Sequence, residues 1–335
     1  MKWEVFVGCD VSQDTFTFFA RNRAEVLWQG ELANTSRAIR SWIAQLKRMP
    51  WFEMGKAVFC MEHTGVYSAI LCRELHKSGS AISLEAAIQI KNSLGLQRGK
   101  NDKIDAARIA EYAMRYTDRL RLWQPRRAAL KKLQVLCSSR ARLVKARAMI
   151  TRFNNDAKRF CEKEISSLVT KSTQASVEAI DQDIDSLDRQ IRDLLKADEN
   201  LNRLTRLVTS VPGVGVVTCC ELILRTKEFT AFQSAKQIAC TAGIAPFEYS
   251  SGSSIRGKSR VSHRAHKQLK TLLHLCAMSA IHTTGEIQNY YQRKVAEGKN
   301  KMLVINAVRN KIVHLIFALV RDNTMYQKNY HYALA

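Results

Sequence analysis

The sequence predicts an α/β layer followed by an all-α remainder, on three observations. Strand-like and helix-like patterns alternate as far as about residue 120. No glycine falls between Gly99 and Gly213, so the middle of the chain should be uninterrupted helix. Within it Val177, Ile180, Ile184, Leu187, Ile191, Leu194 and Leu201 recur at spacings of three and four, broken only at Asp198, as in a coiled-coil seam.

Taken in order, Val5 to Cys9, Thr15 to Ala20 and Glu25 to Gly30 read as strands, and a helix opens near Asn34 and Thr35. Lys56 to Met61 is a fourth strand leading into a helix from Val66 to His76, and Ala81 to Ile90 is an apolar run that fits either state. Arg126 to Lys163 predicts a long helix, with a turn inside Glu164 to Ala175, so that it and the seam helix form a hairpin. From Leu204 the chain reads as mostly helical, with a Ser/Gly-rich loop at Ser250 to Ser259 and an apolar helix at Met302 to Val320. Pro50, Pro125, Pro212 and Pro246 punctuate these patterns. The expected domains are residues 1–120, 121–203 and 204–335.

Lys and Arg number 53 against 30 acids, a formal charge of +23. Self-repulsion of that size calls for a polyanion, nucleic acid first and an anionic membrane surface second. Nine cysteines without a C-x-x-C pair read as buried apolar residues of a reducing compartment. No run approaches eighteen apolar residues and no signal peptide is visible, so the expectation is a cytoplasmic protein without a membrane span.

Four acids stand out. Asp10 ends the strand Val5-Phe6-Val7-Gly8-Cys9-Asp10, and Glu62 ends Ala57-Val58-Phe59-Cys60-Met61-Glu62, both at the mouth of an α/β sheet where ligands bind. Asp102 and Asp105 stand three apart at a helix start, hence on one face. Phosphoryl transfer by two metal ions needs such oxygen ligands, gathered from separate elements. Each acid taken alone is also an ordinary cap, favoured there by the helix dipole or by solvent.

Between Arg115 and Lys163 there are fifteen Lys or Arg and three acids, a net of +12. A solvated face explains some of this, but the density suits a nucleic-acid track, with Arg126, Arg127, Lys131, Lys132, Arg140, Lys145 and Arg147 as contacts. Val211-Pro212-Gly213-Val214-Gly215 is either a plain inter-helix turn or a hairpin offering backbone N–H groups to a phosphate at Gly213 and Gly215. Arg256, Lys258, Arg260 and Arg264 around the serine loop suit phosphate contacts, although the loop by itself reads as ordinary. His263 and His266 have metal-like spacing but no Cys or carboxylate beside them, so exposure or nucleic-acid contact is expected.

Five ordered motifs run along most of the chain: Gly8-Cys9-Asp10-Val11-Ser12, Glu62-His63-Thr64-Gly65-Val66-Tyr67, Asn101-Asp102-Lys103-Ile104-Asp105-Ala106, Val211-Pro212-Gly213-Val214-Gly215, and Ser250-Ser251-Gly252-Ser253-Ser254-Ile255-Arg256-Gly257. Together they resemble the DEDD transposases of bacterial insertion sequences, the insertion-sequence one-ten family, which includes pilin-gene invertases and bridge-RNA-guided recombinases. That resemblance implies a RuvC-like, RNase H-type N-terminal domain with its DEDD acids at Asp10, Glu62, Asp102 and Asp105, then a coiled coil and a C-terminal transposase domain. It further implies Mg²⁺ or Mn²⁺ at the acids, Ser251 as a nucleophile forming a phosphoserine link, donor and target DNA and a guide (bridge) RNA as partners, and a homodimer or tetramer in a bacterial cytoplasm. His63 stands where Ala or Pro is usual, Asn101 where Thr is common, and Val261-Ser262-His263-Arg264 departs from the pattern after the serine loop. A Holliday-junction-type endonuclease would need the acids but no serine, and a non-catalytic nucleic-acid-binding protein would need only the charge.

Overall fold

A computed structural model of the chain describes residues 2–63, 65–93, 95, 101–251, 255–261 and 265–328, with the backbone alone at 248–251 and 255–260. The chain divides into two compact units, Met1–Pro125 and Arg126–Ala335. The boundary falls at Pro125, and the helical hairpin expected as a middle domain lies within the second unit.

In the first unit, β1 (Val5–Val11), β2 (Thr15–Arg21) and β3 (Val26–Ala33) precede α1 (Ser36–Leu46). Then follow β4 (Ala57–Glu62), α2 (Ala69–Lys77), β5 (Ala81–Glu85), α3 (Ala87–Ser93) and α4 (Asp102–Arg115). The five strands are ordered β3-β2-β1-β4-β5, antiparallel among β1 to β3 and parallel from β1 through β4 to β5. Strand alternation sends Val5, Val7, Cys9, Val11, Phe59 and Met61 to one face, packed with Trp42 of α1 and Leu71 and Leu75 of α2. Phe6, Val58 and Cys60 face the other way, onto Ile90 of α3 and Ile109, Tyr112 and Ala113 of α4. The ambiguous run from Ala81 is therefore a strand and then a short helix, and the helix expected from Val66 starts at Ala69.

The second unit opens with two long helices, α5 (Ala128–Phe160) and α6 (Lys163–Ala197), followed by α7 (Glu199–Thr209), α8 (Val216–Thr226) and α9 (Ala235–Thr241). A two-stranded hairpin, β6 (Pro246–Ser251) with β7 (Ile255–Val261), leads to α10 (Lys267–His282), α11 (Glu286–Ala296) and α12 (Lys301–Asp322). Only the base of the α5–α6 pair enters the core: Leu130, Leu133, Ile191 and Leu195 pack with α7 to α12.

Away from that base, polar layers a heptad apart fix the pairing of α5 with α6. Arg140 meets Asp188, Arg147 meets Asp181, and Asn154 Nδ2 donates to Thr173 Oγ1 at 2.9 Å. The turn expected in Glu164 to Ala175 is instead at Cys161 and Glu162. The hydroxyls that suggested a turn satisfy themselves on helix carbonyls, Thr170 on Ser166 O and Thr173 on Val169 O. Asp198, the gap in the seam, is the break between α6 and α7 and caps the latter through Leu201 N at 3.0 Å. Among the described residues α12 alone is long and apolar enough to cross a membrane, and its Val304, Val308, Ile312, Val313 and Ile316 are buried in the core of the unit.

Candidate active site

β1 and β4 run side by side in register Cys9 to Met61, which puts Asp10 and Glu62 next to each other at the same strand end. Glu62 is in register with Glu85 at the end of β5, so three carboxylates line one edge of the parallel strands. All three follow the alternation onto the face covered by α4. Glu85 is buried and accepts from Ser83 Oγ at 2.7 Å. It is a candidate site residue that the sequence reading missed. Burial, then the Glu85 carboxylate, pushes the Tyr112 phenol of α4 up to about 12.

α4 reaches this edge because Gly8 has no side chain. A Cβ there would stand 2.2 Å from Ala106 O and 2.4 Å from Ala110 N, so the helix backbone lies directly on β1 two residues from Asp10. Asn101 caps α4 by accepting from Ile104 N at 2.7 Å, and Asp102 and Asp105 occupy its first turn. Their environments differ. Asp102 is exposed, whereas Asp105 is half-buried and accepts from Arg108 Nη1 at 3.0 Å.

Carboxylate oxygen is the donor type that Mg²⁺ takes. Among the described residues, however, no three His, Cys, Asp or Glu side chains stand close enough together to hold one ion. Donor chemistry fits a divalent cation; the ligand geometry is not assembled, and Arg108 stands on Asp105.

In the second unit Ser251 ends β6, paired with Ile255. The stretch expected as a loop is thus largely a β-hairpin, with Arg256, Lys258 and Arg260 on β7. Arg264 and His263 lie outside the described residues. His266 is not a free surface group: its Nδ1 caps α10 by accepting from Leu269 N and lies 3.6 Å from Glu221 Oε1, and Arg225 meets its Nε2.

Of the expected phosphate contacts, three arginines are already ion-paired. Arg127 holds Asp198 and Glu228, Arg140 holds Asp188, and Arg147 holds Asp181. Arg126 is half-buried and donates to Gln134 Oε1. Lys131, Lys132 and Lys145 are exposed. Gly213, at φ +82°, is a close-approach residue: a Cβ would meet Cys276 O at 2.5 Å and Ala280 N at 2.8 Å, both on α10. Gly215 starts α8 beside a cavity of about 250 Å³ that Arg140, Arg192 and Gln268 also line.

Two family models match the chain. One, of the DEDD type and described as a transposase, covers residues 7–160; the other, described as transposase IS116/IS110/IS902 family, covers residues 205–292. The chain is 27% identical to the pilin gene-inverting protein of Moraxella bovis over 98% of its own length and 99% of that protein's. A 43.6 kDa protein of insertion element IS110 from Streptomyces coelicolor is 32% identical over 48% of the chain and 38% of the relative. The transposase of insertion sequence element IS1111A from Coxiella burnetii is 25% identical over 69% and 70%.

Proposed function

The chain belongs to the IS116/IS110/IS902 transposase family, and from that premise we propose that it is a metal-dependent recombinase which cuts and rejoins DNA through a covalent serine intermediate. The observation that carries the proposal is the row of Asp10 and Glu62 on adjacent parallel strand ends, with α4, whose first turn is acidic, laid over Gly8 at Ala106 and Ala110. Asp10, Glu62, Asp102 and Asp105 would hold Mg²⁺ or Mn²⁺ in a RuvC-like domain. Asp105 must exchange Arg108 for the ion. A bound divalent ion would supply Lewis-acid stabilisation to the phosphoryl oxygens.

Ser251 Oγ would form a bond to phosphorus as the bond to the leaving deoxyribose oxygen breaks, the serine proton being lost and the leaving oxygen gaining one. Attack by the new DNA end reverses the exchange and frees the serine. A guide (bridge) RNA would choose the DNA sites, in line with a chain whose excess charge is basic. The reading expects a homodimer, or a tetramer made of two paired dimers, since strand exchange needs cuts at two sites. Met149, Phe153, Phe160, Ile165 and Leu168 at the far end of the α5–α6 helix pair are exposed apolar groups that a second copy would cover.

Recombination between two DNA sites tests the reading. Asp10→Asn is expected to abolish exchange, and Ser251→Ala to abolish the denaturant-stable protein–DNA adduct. Unchanged cleavage by Ser251→Ala would refute the serine assignment and leave a Holliday-junction-type nuclease as the better account. Exchange surviving Asp10→Asn would refute the carboxylate site.

A further inference from the structure

α12 is apolar on the face that enters the core, and Arg309 lies in the middle of that face between buried Val308 and Ile312. Arg309 is only 8% exposed. Its Nη2 lies 2.6 Å from Nδ1 of His274 on α10. A guanidinium always donates, so Nδ1 accepts and the imidazole proton resides on Nε2. Nε of Arg309 is enclosed with no partner among the described residues. No carboxylate among the described residues pairs with Arg309.

The electrostatics agree with that count. Burial alone lowers the Arg309 pKa, and burial followed by the Arg309 charge lowers that of His274. A neighbouring acid would have acted in the opposite sense. Lys270, one turn before His274 on α10, adds a further half-buried cation rather than an acid. A buried cation with no counter-ion leaves its desolvation uncompensated, and the polar hydrogens gathered here all suit an oxyanion.

The position of the pair indicates which anion. Asn306, one turn before Arg309, donates its Nδ2 to Ile244 O at 2.9 Å, two residues before β6 begins. The pair therefore stands near the foot of the hairpin that carries Ser251. We propose that Arg309 and His274 form an oxyanion site that receives a backbone phosphodiester of bound nucleic acid. The inference rests on the transposase reading for the identity of the ligand.

Binding of a duplex oligonucleotide to the full chain, measured from low to high salt, tests it. Arg309→Met is expected to weaken binding about tenfold and to reduce the log–log salt slope by about one. Its thermal midpoint should not fall, because methionine removes an unpaired charge while keeping volume. Arg309→Lys should recover the slope but not the full affinity, having lost the two-pronged head. A folded Arg309→Met chain with wild-type slope overturns the site, as does undiminished affinity in Arg309→Lys if the methionine variant fails to fold. If inorganic phosphate raises the midpoint of the wild type but not of Arg309→Met while the DNA slope is unchanged, the ligand is free phosphate and the phosphodiester assignment falls. A wild-type chain that binds no nucleic acid overturns the transposase reading itself, whereas wild-type binding with unaltered variants overturns this site alone.

Discussion

Gly8 is the residue on which the first unit's candidate site depends, because α4 can reach the edge of β1 and β4 only where β1 lacks a side chain. The atoms that a Cβ would meet are the backbone of α4 at 2.2 Å and 2.4 Å, and no rotamer change relieves a backbone clash. Gly8→Ala should therefore destabilise the first unit by about 3 kcal/mol or more, read from urea unfolding, and should lower activity by displacing Asp105. A loss below about 0.5 kcal/mol, the range of ordinary surface changes, would mean that the helix shifts freely. Asp10, Glu62 and the Asp102–Asp105 pair were legible in the sequence because their placement follows from local rules, strand alternation and helical spacing. Glu85 was not, since it lies in an apolar run that fits strand or helix and gains meaning only through its register with Glu62. Arg309 escaped for a related reason. A lone arginine in an apolar helix reads as a solvent-facing interruption until packing shows it buried.

Among the elements, α5 shows best how far sequence carries. Its charge was visible as a count, but a count does not separate cations that face solvent from those that specify pairing with α6. Arg140 and Arg147 sit a heptad apart and meet Asp188 and Asp181, so much of their charge is spent on register within the hairpin. Lys131 and Lys132 are exposed and have no such partner to displace among the described residues. Lys131→Gln with Lys132→Gln should therefore reduce the salt slope of nucleic-acid binding by about two, whereas Arg147→Ala should leave it nearly unchanged and lower thermal stability slightly. An equal change of slope from both would show that the Arg147–Asp181 pair opens on binding. The hairpin turn was misplaced for a local reason as well: Ser and Thr in Glu164 to Ala175 resemble turn formers, yet their hydroxyls return to helix carbonyls.

On the scale of the whole molecule, the basic surplus and the candidate metal-binding carboxylates fall in different units. Residues up to Pro125 carry eighteen Lys or Arg and thirteen acids, a net of +5, while the remainder carries thirty-five against seventeen, a net of +18. The four candidate carboxylates belong to the first unit, and most of the basic surplus belongs to the second. Binding and cutting should then respond to different agents. Chelating divalent metal from the full chain is expected to lower DNA cleavage by on the order of a thousandfold or more, several kcal/mol of lost charge stabilisation, with recovery on adding Mg²⁺ or Mn²⁺. Affinity for the same DNA, and its salt slope, should stay within a factor of about two, because phosphate neutralisation by Lys and Arg needs no metal. Salt should do the reverse, weakening binding steeply while leaving cleavage of already bound DNA little changed over the same range. Chelation that removed binding and cleavage together would show that metal at the carboxylates holds the DNA, and the division between the +5 and +18 units would no longer describe how this chain works.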